Sequence, residues 1–157
     1  MKRMWSVMLV LLLGVCLIGQ AETLPETIER SVPLEGENET RTYTLVQDEQ
    51  GRFSIYIDED IYEAVQNESG MIIRQKDGGS AQMTLTWLDG SPQALRKAFV
   101  TPQIKQDNSF WSEEFDTPQP GCSAVYNDGG KARSLYWFDA GHGKTLRAIE
   151  LALEHKA

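Results

Sequence analysis

The 157-residue chain carries two cysteines, and only Cys122 lies beyond the N-terminal apolar segment. Once that segment is removed no internal disulfide can form, which sets aside the disulfide-dense class of small secreted domains and leaves the fold to rest on a hydrophobic core. Basic residues are also scarce. Taking Lys2 and Arg3 from the 15 Lys and Arg leaves 13 against 23 Asp and Glu, a balance of −10. Affinity for phosphate backbones comes from cations that displace counterions, so the composition argues against a nucleic-acid partner. Long apolar runs are missing too: Trp5 to Gly19 is 15 residues, short of the roughly 20 that span a bilayer. No internal repeat and no low-complexity tract interrupts the rest.

What the N-terminus does hold is a targeting pattern. Lys2 and Arg3 precede an apolar run from Val7 to Ile18, and Gly19-Gln20-Ala21 supplies the small residues a signal peptidase reads. Residues 1–21 are expected to be a signal peptide cleaved before Glu22, with a retained anchor as the rival reading. A lipoprotein reading meets Val15, which is not small, directly before Cys16. Export places the protein outside the cell or in its envelope, with no membrane span after cleavage. Residues 22–27 then read as an exposed lead-in and 28–157 as a single α+β domain, a size that buries about two thirds of its unfolded surface.

The stretch from Ser80 to Val100 sets the architecture. Met83, Leu85 and Trp87 alternate with Gln82, Thr84 and Thr86, the period of a strand with one buried face. Asp89-Gly90 breaks it, Ser91 can cap a helix, and Pro92 fits the first helical position. Leu95, Ala98 and Phe99 make an apolar stripe, with Arg96 and Lys97 expected to point away. The pattern predicts a helix packed on an antiparallel sheet built from successive hairpins. Hairpins are expected about Glu35–Asn38, Asp77–Gly79 and Asn127–Gly130, with a further turn at Asp48–Gly51. Asp58 to Gln66 is expected as a short helix with acids at its positive end. The run after Thr145 is expected as a strand that gives way to helix near Glu154.

The strand Gly51-Arg52-Phe53-Ser54-Ile55-Tyr56-Ile57, an acidic turn, paired strands and a helix opened by Ser91-Pro92 resemble PsbP-like domains. They also resemble uncharacterised exported proteins of Gram-positive bacteria. The resemblance covers roughly Arg41 to Leu151; Asp58 stands where such proteins commonly have proline. It implies an α/β/α sandwich with a non-catalytic binding or assembly role, and it carries no catalytic residue.

Motifs for chemistry are incomplete. Gly143-Lys144-Thr145 ends like a phosphate loop, but the motif's first glycine would fall at Phe138. Cys122 with His142 is the alternative reading, a small secreted cysteine-dependent hydrolase. Asp58, Glu59, Asp60 and Glu63 gather carboxylates without the ligand spacing of a calcium loop. No metal or cofactor is expected. The aromatics remain: Trp87 belongs with the core, while Tyr136-Trp137-Phe138 puts rings on both faces of one strand. One of those faces is either covered by a helix or exposed as a binding patch. The candidate ligand-binding residues are therefore Trp111, Tyr136 and Trp137. The leading reading is a non-enzymatic binding or assembly domain of the cell envelope, its partner an unknown protein or glycan.

Overall fold

The computed structural model describes residues 24–34, 37–79, 81–100, 110–116, 120–128, 131–140 and 147–155. Mostly antiparallel strands and a short helix give a broadly α+β chain. The chain divides into two compact units, the first ending at Glu63 and the second beginning at Ala64.

In the first unit, β1 (Thr27–Leu34), β2 (Glu37–Gln47) and β3 (Ser54–Ile57) pair in chain order as a three-stranded antiparallel sheet. β1 and β2 pair as the expected hairpin, and β3 follows the expected turn at Asp48–Gly51. Val32, Tyr43 and Tyr56 make the buried cluster, with Ile28 and Leu45 packed against it. The lead-in keeps exposed side chains at Pro25 and Glu26, yet its backbone is tied to the sheet. The Tyr56 hydroxyl donates to the Pro25 carbonyl at 2.7 Å, and the Leu45 N–H to the Glu26 carbonyl at 2.8 Å. The alternation in 53–57 predicts one wet face, but Phe53 through Asp58 are all buried. Two things make that tolerable: Ser54 is small, and the Tyr56 hydroxyl has found its acceptor.

Asp48 holds the β2–β3 turn together. Its side chain has no exposure and accepts from Arg52 Nε at 2.7 Å, from the Phe53 N–H at 3.1 Å and from the Arg52 N–H. Gly51, at φ 67°, supplies the left-handed residue the turn needs. Burial alone would raise the Asp48 pKa, but the hydrogen bonds from Arg52 and Phe53 outweigh it and hold the carboxyl below its usual range.

The helix expected over Asp58–Gln66 is absent. Asp58 instead starts a turn, its carbonyl accepting from Ile61 and Tyr62. Its carboxylate takes Arg41 Nη1 at 3.1 Å and the Asp60 N–H at 3.1 Å. The chain then enters β4 (Tyr62–Asn67). Tertiary pairing overrides the helix propensity of Glu63 and Ala64, because β4 finds a partner in the next strand.

The second unit is a seven-stranded sheet in the order β4-β5-β6-β10-β9-β8-β7. Its strands are β4, β5 (Gly70–Gln75), β6 (Gln82–Asp89), β7 (Trp111–Phe115), β8 (Gly121–Asp128), β9 (Lys131–Asp139) and β10 (Arg147–His155). β5–β6 and β8–β9 are the expected hairpins. Between β6 and β7 lies α1 (Pro92–Phe99). Ser91 caps it, its Oγ accepting from the Ala94 N–H at 3.2 Å, and Pro92 opens it. Leu95, Phe99 and Val100 pack over Cys122, Ala124, Leu135 and Trp137. Ala98 is exposed, and Arg96 does not point away as expected: it reaches β7 and pairs with Glu114 at 2.6 Å. β10 stays extended to His155, with no turn to helix near Glu154, because β6 and β9 bond it on both sides.

Asp48 generates a prediction. A carboxyl whose folded pKa is depressed adds stability above its unfolded value, near 4, and loses it as pH falls through the folded value. Asp48→Asn should lower unfolding free energy by about 1–3 kcal/mol at neutral pH. The variant should also show a flatter loss of stability below about pH 4 than the parent. Urea titrations at stepped pH check both.

Candidate functional site

The register of β7, β8 and β9 decides which aromatics meet. Trp111 pairs with Val125 and Val125 with Ser134; Glu113 pairs with Ser123 and Ser123 with Tyr136; Phe115 pairs with Gly121 and Gly121 with Phe138. Paired residues share a face, so Trp111, Glu113, Phe115, Tyr136 and Phe138 stand together on one side of the sheet. Glu114, Cys122 and Trp137 form a row on the other side, beneath α1.

The three candidate residues therefore part company. Trp137 is 1% exposed, its ring 5.7 Å from that of Phe99, so it is a core residue and not part of a binding patch. The reason is the helical cover that the sequence left as one of two options. Tyr136, its neighbour in the chain, is half-buried on the opposite face and stacks on Phe138 at 6.3 Å. Trp111 is 51% exposed at the end of edge strand β7. Trp111 and Tyr136 thus remain together on one face, and Trp137 leaves the set.

Glu113 completes that face. Its carboxylate is exposed one row from Trp111. Burial raises the Tyr136 pKa, and the nearby negative charge of Glu113 raises it further, so the phenol stays protonated as a hydrogen-bond donor. Between them lies Ser123, wholly buried, whose Oγ has no hydrogen-bond partner among the described residues. Its carbonyl is used, accepting from Ser112 Oγ at 2.7 Å. Gly121 fits this spot because nothing larger does. A Cβ there would stand 2.5 Å from the Trp137 carbonyl oxygen and 2.7 Å from the Phe115 ring.

On the helix side of β7 a groove of about 460 Å³ is lined by Gln93, Arg96, Lys97, Val100, Phe110 and Ser112. Its Arg96 is already committed to Glu114 and lies near Ser112 Oγ and the Glu113 carbonyl. The Arg96 contacts therefore secure β7 to α1, and Lys97 is the second cation on the groove's lining.

Other candidates are placed as follows. Cys122 is fully buried, and desolvation pushes its thiol pKa up. His142 and Gly143-Lys144-Thr145 lie outside the described residues. Asp58 spends its carboxylate oxygens on Arg41 and the Asp60 N–H. Among the described residues no three His, Cys, Asp or Glu side chains gather as metal ligands would. Among them also, no helix is long and apolar enough to cross a membrane. Glu113 and Ser123 were not singled out in the sequence; only the register sets them beside Tyr136.

The split between the tryptophans has a direct optical test. Acrylamide should quench the Trp111 contribution strongly and the Trp137 contribution little. Trp87, expected in the core, is only half-buried; in a Trp87→Phe background, Trp111→Phe is expected to remove most of the quenchable emission of the folded domain, and Trp137→Phe the blue-shifted, protected part. Compared with known proteins, the chain matches no family model, no curated protein and no solved structure.

Proposed function

We propose that this chain is an exported, non-enzymatic binding or assembly domain of the cell envelope, with the Trp111–Glu113–Tyr136 face as its binding surface. The observation that carries the reading is a half-exposed indole on an edge strand, one row from an exposed carboxylate and a half-buried phenol. Large exposed apolar side chains flanked by polar groups mark interaction sites, and Trp and Tyr combine a broad apolar area with a polar tip. Export rests on Lys2, Arg3 and the apolar run to Ile18. The PsbP-like arrangement belongs to the same proposal; it is supported by the strand at 53–57 and by a helix opened at Ser91-Pro92 that packs on one sheet face.

The alternative, a hydrolase using Cys122 and His142, meets a chemical obstacle. A cysteine nucleophile works as thiolate, and burial here disfavours the thiolate. Cys122 should accordingly resist a thiol reagent in the native protein and react fully after denaturation.

The binding reading is tested by co-sedimentation of the purified protein with washed cell-envelope material. Trp111→Ala should cut the retained fraction at least about fivefold, roughly 1 kcal/mol, while Cys122→Ala leaves it unchanged. Hydrolysis of an envelope substrate, abolished by Cys122→Ala, would replace this reading with the hydrolase.

A further inference from the structure

β7 is the last strand of its sheet, and among the described residues no strand pairs with its outer edge. Edges of this kind template further strands unless they are guarded. One edge strand of the other sheet, β1, carries such a guard in Pro33. β7 reads Trp111-Ser112-Glu113-Glu114-Phe115 and has no proline, with Asp116 exposed just beyond it. Among the described residues no strand uses its outer main-chain groups, although Arg96 Nη1 lies 3.5 Å from the Glu113 carbonyl.

Its charges select what can add. Suppose a second copy paired through β7 in antiparallel fashion. Centring the pair on Glu113 sets Glu113 against Glu113. Centring it on Glu114 sets Glu114 against Glu114. Like charges directly opposite are destabilising, and each chain already carries a net −8. In these registers the edge works against its own kind, and its carboxylates favour a basic strand. Trp111 adds to this: a half-exposed indole attracts a Lys or Arg head group through its ring face. Trp111 and Glu113 share a face two residues apart, the spacing of alternate side chains along an opposing strand.

We propose that the outer edge of β7 receives an extended basic segment of a partner protein as an added strand. Alternate Lys or Arg side chains of that segment fall over Trp111 and beside Glu113. This deepens the function proposed above and rests on it: the partner becomes a basic polypeptide, recognised by main-chain bonds for affinity and by two side chains for specificity.

The test uses the purified protein and two capped heptapeptides, Lys-Thr-Lys-Thr-Lys-Thr-Lys and the same sequence with Glu for Lys. The lysine peptide should bind and shift Trp111 emission, and amide exchange should slow within Trp111–Phe115. Binding should weaken as salt is raised, because these charges are exposed. Trp111→Ala and Glu113→Lys should each weaken it about tenfold. Glu113→Lys should also turn the preference toward the glutamate peptide, an exchange that mere unfolding would not produce. Equal binding of both peptides, binding without protection in β7, or no binding would overturn the proposal. So would dimers in sedimentation that protect the same amides, since the occupant would then be a second copy. If Trp111-dependent retention on envelope material survives while the peptides fail, the strand-addition mode falls and the binding face stands.

Discussion

The backbone ladder of β10 is the constraint on which the second unit turns. Eight residue pairs join it to β6 on one side and eight to β9 on the other. Without it the sheet is two separate meanders, β4-β5-β6 and β9-β8-β7, each with a raw edge. Its closure brings Asp89 opposite Arg147 across more than fifty intervening residues. Pairings this distant must overcome loop-closure entropy before they return any stability, so such a sheet is expected to assemble late and cooperatively.

The outer half of the sheet depends on β10 indirectly. β9 sits on it, β8 on β9 and β7 on β8, and α1 lies across β8 and β9. Phe99 contacts rings from both strands, Tyr126 at 5.5 Å and Trp137 at 5.7 Å. Arg96 then reaches over to Glu114, so the helix grips the edge strand as well as the core. Being largely exposed, that ion pair supplies orientation more than stability. The candidate face is a product of this stack: Trp111 and Tyr136 share a face because successive registers hold, not because they are near in the chain.

Local structure was legible in the residues wherever local chemistry decides it. Ser91-Pro92 announces the helix, and Asp77-Gly78-Gly79 announces the β5–β6 turn, where Gly78 adopts φ 76°. Asp58–Gln66 misled because its acids and Ala64 suit a helix terminus, while the deciding fact is a neighbouring strand. Arg96 misled because helical spacing says which face a side chain leaves from, not how far a guanidinium travels. The site was half legible. Aromatics on both faces of β9 follow from Tyr136-Trp137-Phe138, but which face α1 covers depends on contacts that no period encodes. Ser123 left no signal at all, since one buried serine in an apolar strand resembles any other.

Gly121 carries a consequence that reaches the surface. A strand normally insulates its two neighbours with a layer of side-chain atoms, and at Gly121 that layer is a single hydrogen. The Phe115 ring leans into the space, and the Trp137 carbonyl borders it. Phe115 ends the same strand that Trp111 begins. A larger residue at 121 would push on both, tilting the edge strand from its inner end and re-aiming an indole it never touches. The setting of the exposed rim is in this sense fixed from beneath, by an atom the protein leaves out.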